Sequence, residues 1–435
     1  MIIQSRASLK AILPHDWLIS RLGLHGKFMS GSAFPDQFQG RCNEEIPFYK
    51  VADLARSSDG VHMPEPMHTI SDETRKRLKA KLIPKGSIVY AKIGAASLLN
   101  RRRVTTRSCC IDNNMTAFVP EQVSPEWALI WLRSLDFGAY MCPATVPSIS
   151  EGIQADLPLG LPPMEYEQRS IALLNERLPK IDKLITLLED KSSALSSYRQ
   201  SLITRAVTKG LDHNVEMKDS GVEWIGSIPR EWKTSKISFV SDVTLGKMLC
   251  PRQTDSEQTL ETYLCAGSIS WDGVKDYIKE MWFSSKEKSE LLLIAGDVLV
   301  VEGGAGFGMT TLYKGEHSPC YFQNSIIRVR GHHNVMTSDF INYWMRFTYT
   351  AYLKKVCNEA TFSHYTKEKV SETPILVPPL NEQKKIADFC KLVDERVKTI
   401  CAGIENQISK LNEYRSSLIS AAVTGQLAID EEVSA

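Results

Sequence analysis

Glu167-Gln-Arg-Ser-Ile-Ala172 and Glu382-Gln-Lys-Lys-Ile-Ala387 are one motif written twice, 215 residues apart, each just after a Pro-Pro pair (Pro162-Pro163 and Pro378-Pro379). Working outward, the repeat widens. Downstream, Tyr198-Arg-Gln-Ser-Leu-Ile-Thr-Arg-Ala-Val-Thr208 answers Tyr414-Arg-Ser-Ser-Leu-Ile-Ser-Ala-Ala-Val-Thr424. Upstream, Pro14-x-x-Trp17 answers Pro229-x-x-Trp232, and the strand-like stretches Ile46 to Leu54 and Thr262 to Ile269 correspond. Pro84 to Gly94 parallels Ala295 to Gly304: a turn, an apolar strand, then glycine. Two copies of one unit of about 215 residues therefore make up the chain.

Between its anchors each copy reads as one long helix. Slots 174, 178, 181, 185, 188, 192, 195, 199, 202 and 206 alternate four and three residues apart, and Leu178, Ile181, Ile185, Leu188, Leu195 and Leu202 make them an apolar stripe broken by Ser192 and Arg199. Shifted by 216, the same slots hold Val397, Ile404, Ile408, Leu411 and Leu418, broken by Asp394 and Arg415. Such a stripe is a coiled-coil seam. A proline is costly inside a helix and tolerated at its first turn, so Pro179 is expected to start the first helix, which ends near Thr208, before Gly210. About 29 residues from Pro179 to Val207 make a helix of roughly 44 Å at ~1.5 Å per residue, the length of about 13 base pairs.

The fold class that follows is mixed α/β: two tandem α/β domains separated by two long helices that form an antiparallel coiled coil. The expected segments are a first domain over 1–160, a helical spacer over 161–212, a second domain over 213–377 and a C-terminal helical spacer over 378–435.

Composition excludes several function classes. With 43% hydrophobic and 24% charged residues among 435, this is an ordinary globular chain. No apolar run approaches the ~20 residues that span a bilayer, and Met1 to Lys10 lacks a signal pattern. A cytoplasmic protein is expected, its ten cysteines reduced and none in a C-x-x-C pair. His332-His333 and His364 lack partners at ligand spacing, so no metal site is expected. Net charge is +1, but Lys and Arg outnumber Asp and Glu 19 to 15 over 1–160 and trail them 18 to 20 over 213–377, so only local patches can support nucleic-acid binding.

Tandem α/β domains ending in Pro-Pro and Glu-Gln-x-x-Ile-Ala, each followed by a helix closing on Tyr-Arg-x-x-Leu-Ile-x-x-Ala-Val-Thr, resemble the specificity subunit of type I restriction-modification systems, across essentially the whole chain. Gly226-Ser-Ile-Pro-Arg-Glu-Trp232 and Val423-Thr-Gly-Gln-Leu427 are also similar to that family. The resemblance implies a non-catalytic DNA-reading subunit whose two target recognition domains each read one half of an interrupted double-stranded target. It further implies two methyltransferase subunits as partners, with two restriction and translocation subunits in the full complex. S-adenosylmethionine, ATP and magnesium are expected on those partners, and no cofactor on this chain.

The residues agree that catalysis lies elsewhere. An amino-methyltransferase holds the flipped base with an Asn/Asp-Pro-Pro-aromatic loop, whereas the pairs here read Leu-Pro-Pro-Met and Val-Pro-Pro-Leu. Gly303-Gly-Ala-Gly-Phe-Gly308 lacks the lysine and hydroxyl of a phosphate-cradling loop and the spacing of a dinucleotide fingerprint. It reads as a turn whose backbone can approach phosphate. Candidate DNA contacts in the first domain are Lys92 and the run Arg101, Arg102, Arg103 with Arg107, because guanidinium forks onto guanine or clamps phosphate. In the second domain they are Lys247, Arg252, Lys275, His364 and Lys367, with Phe307 a packing residue. Arg75 to Lys81 reads as the solvated face of a short helix. A competing reading, a scaffold joining two sugar- or protein-binding modules, does not account for the repeated boundary motifs.

Overall fold

A computed structural model describes residues 9–141, 147–353 and 364–427. The stretch 1–8, read above for a signal pattern, lies outside them. The first domain holds a four-stranded antiparallel sheet in the order Gly26–Ser30, Met115–Pro120, Ile88–Ala91, Arg103–Val104. A three-stranded sheet lies in the order Thr69–Ile70, Ile46–Tyr49, Cys110–Ile111, the second pairing parallel. Leu18–Arg21 pairs with Pro158–Leu161.

The second domain repeats every one of these pairings. Its four-stranded sheet runs Ser241–Leu245, Ile326–Gly331, Val298–Val301, Thr310–Leu312. Its three-stranded sheet runs Lys279–Phe283, Thr259–Leu264, Tyr321–Phe322, again with one parallel pairing, and Lys233–Lys236 pairs with Pro374–Val377. The strands Ile88–Ala91 and Val298–Val301 are buried along their whole length, which is why both read as unbroken apolar runs. The expected strands at Ile46 and Thr262 are shorter than read, because each gives way to a 3-10 turn, Val51–Ala55 and Ala266–Ser268.

One helix packs on each four-stranded sheet: α1 (Pro125–Ser134), capped by the Ser124 hydroxyl with Pro125 in its first turn, and α3 (Ser338–Thr348). Trp131 donates its indole N–H to the Pro158 carbonyl (2.6 Å), and Trp344 donates to Pro374 (2.9 Å). These indoles fix α1 and α3 as equivalents.

The long helices are α2 (Met164–Lys209) and α4 (Leu380–Val423). α2 does not begin at Pro179; it passes straight through it. Pro179 sits on the exposed side, where the carbonyl it leaves unbonded can reach water, and the seam on the opposite side offsets the lost bond. At ~1.5 Å per residue the 46-residue helix is about 69 Å long rather than 44 Å. Its end matches the expectation: Gly210 follows at φ +74°, and Gly425 caps α4 at φ +72°.

Two compact units divide the chain, Met1–Glu189 with Glu405–Ala435, and Asp190–Ile404. They cut across the four segments read from sequence, because each domain takes half of both helices into its core. In unit 1, Leu174, Ile181, Leu418 and Ala422 are buried in one cluster, with Leu178, Ile185 and Leu411 packed against it. The Tyr166 hydroxyl reaches the Ala422 carbonyl (3.1 Å), Arg177 lies near Tyr414 (3.5 Å), and the order shows antiparallel pairing. In unit 2, Ile203 and Ala206 share a core with Ile386 and Cys390, and Ser192 meets Cys401 (3.7 Å) while Arg199 meets Asp394, again antiparallel. Leu188, Leu195, Leu202 and Ile408 are half-buried and Val397 and Ile404 buried, so no seam slot faces solvent freely.

The repeated motifs lock these joints. Gln383, fully buried, donates to the carbonyls of Val335 and Pro378 (2.9 Å each) and accepts from the Thr337 N–H (2.8 Å). Glu382 accepts the Trp232 indole N–H (2.9 Å), and Glu167 accepts the Ser124 hydroxyl (2.5 Å). The Pro-x-x-Trp motifs pack on the capping glycines: Trp232 on Gly210, and Pro14 with Trp17 on Gly425.

Candidate nucleic-acid interface

The basic residues singled out from sequence fall into two groups. Arg101, Arg107, Arg252, Lys275, His364 and Lys367 are exposed. Arg107 lies 3.6 Å from the exposed Glu65 carboxylate and beside the Tyr49 side chain. Lys92 is half-buried and donates to the Ser30 hydroxyl (3.0 Å).

Two residues do not have the free charge expected of them. Arg102 is 2% exposed, its guanidinium 3.9 Å from the centre of the Phe137 ring and its Nη2 near the Leu135 carbonyl (3.4 Å). Burial pushes it down to about 9. It is part of the core, and a phosphate cannot reach it in this arrangement. Lys247 is also enclosed: its ammonium pairs with Glu287 (2.6 Å) over the Phe283 ring. Its charge is spent inside the domain. Arg103 lies between, half-buried, donating to the Arg102 carbonyl (3.0 Å).

The glycine-rich loop contains a 3-10 turn, Gly304–Gly306, and it serves a neighbour. A Cβ on Gly303 would fall 2.6 Å from the His364 imidazole, so the bare backbone seats that ring. Phe307 packs against the core, 6.3 Å from Tyr365. Arg75 to Arg77 end a short helix, Asp72–Arg77, where Arg75 and Lys76 pair with Asp72.

Sequence reading missed two clefts, one where each domain meets its half of the helix pair. In unit 1 a cleft of about 590 Å³ is lined by Arg101, Arg103 and Arg133 from the domain and Arg415 from α4. In unit 2 a cleft of about 620 Å³ is lined by Arg346 from α3, Arg199 from α2 and Asp394 from α4. Arg133 and Arg346 are equivalent by the indole register above, and Arg199 and Arg415 by the seam. Asp394 bridges the unit 2 pair, 2.6 Å from Arg199 and 3.5 Å from Arg346, and accepts from the Tyr343 hydroxyl (3.1 Å). Only the seam interruptions Arg199, Asp394 and Arg415 hinted at this. Among the described residues no group of three His, Cys, Asp or Glu is placed to hold a metal, and no helix is long and apolar enough to cross a membrane.

This duplicated α/β architecture, with each domain built onto half of a shared helix pair, is found in solved type I restriction-modification proteins. A chain of a type I R-M system, solved in work on its complex assembly and conformational transition, superposes with a TM-score of 0.71 at 15% identity, covering 95% of this chain and 99% of that one. The HsdS subunit from Thermoanaerobacter tengcongensis gives 0.50 at 14% identity, covering 95% and 98%. Residues 229–410 match the family model of the type I restriction modification DNA specificity domain. The type I restriction enzyme MjaVIII specificity subunit of Methanocaldococcus jannaschii is 23% identical over 307 residues, a match spanning 65% of each protein. In sequence and in fold the chain is thus similar to type I restriction-modification specificity subunits.

Proposed function

We propose that this chain is the non-catalytic DNA-reading subunit of a type I restriction-modification complex, each recognition domain reading one half of an interrupted duplex target. The observation that carries the reading is the duplication itself: two domains with the same strand order, each built onto half of one antiparallel helix pair. A chain that carries the same domain twice suits a duplex target with two half-sites. The exposed residues Arg101 and Arg107 in one domain and Arg252, Lys275, His364 and Lys367 in the other are the proposed DNA contacts.

Because both units share α2 and α4, helix length is the quantity we take to set the DNA spacer. The same helices supply the docking surface for two methyltransferase subunits, and apolar side chains left in solvent support this: Leu184 and Leu187 in unit 1, Leu392 and Ile400 in unit 2. Two restriction and translocation subunits complete the complex. S-adenosylmethionine, ATP and magnesium act on those partners, and the assembly works in the cytoplasm.

The test is a gel shift with interrupted duplexes at several salt concentrations, alone and with a methyltransferase subunit. Phosphate contacts predict binding that weakens steeply with salt and a stable ternary complex. Methyl transfer by the purified chain alone, or no DNA binding in the complex, would overturn the proposal.

A further inference from the structure

The two clefts are built alike and charged differently. In unit 2 the anion is internal, the Asp394 carboxylate held by Arg199, Arg346 and Tyr343. The seam slot that carries Asp394 corresponds, 216 residues earlier, to Leu178. Unit 1 therefore keeps both arginines of the pair, Arg133 and Arg415, adds Arg101 and Arg103, and has no carboxylate in the cleft lining.

Two carboxylates flank this cleft from outside its lining, Asp182 and Asp59. Asp182 lies 3.0 Å from Arg415 Nε, yet the geometry leaves that buried Nε without a hydrogen bond. Asp59 accepts from the His62 imidazole (2.6 Å) and from the backbone N–H groups of Val61 and His62 (2.8 Å each). Arg133 donates from Nη2 to the carbonyls of Gly60 and Arg102, neutral acceptors that do not balance its charge. Arg103 Nε is buried with no hydrogen-bond partner. Burial, and then the neighbouring Arg103 and Arg415, push Arg133 down to about 10. Four guanidinium groups thus line the cleft against two flanking carboxylates, Asp182 and Asp59, and positive charge is in excess there.

We infer that the unit 1 cleft is a phosphate-binding site in which an external phosphoanion takes the place that Asp394 fills in unit 2. Forked guanidinium groups match tetrahedral phosphate oxygens. A cleft of about 590 Å³ is large enough for a nucleotide-sized ligand. The phosphate has two sources, a free nucleoside polyphosphate or the backbone of bound DNA. The second source rests on the DNA-reading proposal; the first does not.

Calorimetric titration of the full chain with pyrophosphate and with ATP tests the free source, using Arg101→Gln/Arg415→Gln against Arg346→Gln in unit 2, with melting curves as a folding control. Saturable binding that weakens at least tenfold in the unit 1 double variant and is unchanged in Arg346→Gln supports the site. Single variants Arg101→Gln and Arg101→Lys, the latter restoring part of the affinity, keep the test open if the double variant fails to fold. If neither phosphoanion binds, the DNA arm decides: gel shifts with the methyltransferase complex should show the double variant losing about one to two in the slope of log affinity against log salt, equally for all sequences. Wild-type DNA binding with an unchanged slope and no pyrophosphate or ATP binding overturns the inference and leaves the DNA-reading proposal intact. Loss of DNA binding by the wild-type complex would sink that proposal instead.

Discussion

Unit 1 and unit 2 fold the same strand order onto the same seam, yet their clefts are charged differently: four arginines and no carboxylate line the first, with Asp182 pairing Arg415 from its edge, whereas Asp394, in the slot that corresponds to Leu178, sits between Arg199 and Arg346 in the second. The comparison teaches that the frame and its charge are specified separately. Apolar spacing sets the helix pair, and the polar residues that interrupt it, Asp394 and Arg199 in one unit and Arg415 in the other, contribute to what sits between domain and helix.

The largest effect that can break this comparison is at the neutralised cleft. Asp394→Ala leaves Arg199 and Arg346 half-buried and without their shared partner, and should cost about 3 kcal/mol. Arg415→Ala in unit 1, where the partner Asp182 is 39% exposed, should cost under about 1 kcal/mol. Urea denaturation of both variants measures the gap, and equal losses would show that the two clefts do not differ as described.

A smaller contrast lies at the helix ends. Both capping glycines have positive φ, but a Cβ at Gly425 would fall 2.3 Å from Pro14 Cγ, whereas at Gly210 the nearest atom, at 2.9 Å, is the flexible tip of Glu382. Gly425→Ala should therefore destabilise by roughly 2 kcal/mol or more and Gly210→Ala by about 1 kcal/mol. Thermal melts giving the reverse order would contradict the packing of Pro14 on the end of α4.

The smallest effect is common to both units. Burial pushes the Cys109 and Cys390 thiols from 9.0 up to about 12. A raised folded value means stability that is complete below pH 9 in the limit and lost as pH rises from there towards 12. Each thiol should then contribute a loss of about 0.4 kcal/mol between pH 8 and pH 9. Denaturation midpoints across that step check the sign, and a rise in stability assignable to these thiols through Cys→Ala controls would contradict it.

The seam was legible because apolar side chains at four-and-three spacing leave a helix pair little alternative, and the repeat was legible because Glu382, Trp232 and Gly210 bond or pack on one another while Gln383 ties the start of α4 to Thr337 and Val335. The passage of α2 through Pro179 was not, since the local rule against proline was outweighed by packing on the far side of the helix. Nor was the burial of Arg102 and Lys247, whose pockets are made by Phe137, Phe283 and Glu287, remote in sequence. The clefts were hidden for the same reason: Arg133 and Arg415 are 282 residues apart and meet only once the helices fold back.

The central claim, that each domain reads its own half of the target, is tested most directly by replacing residues 1–160 with the corresponding domain of a related specificity subunit and mapping methylation sites with the methyltransferase partner. The account predicts that one half-site changes while the other half-site stays as it was. A change in both halves, or in neither, would contradict it.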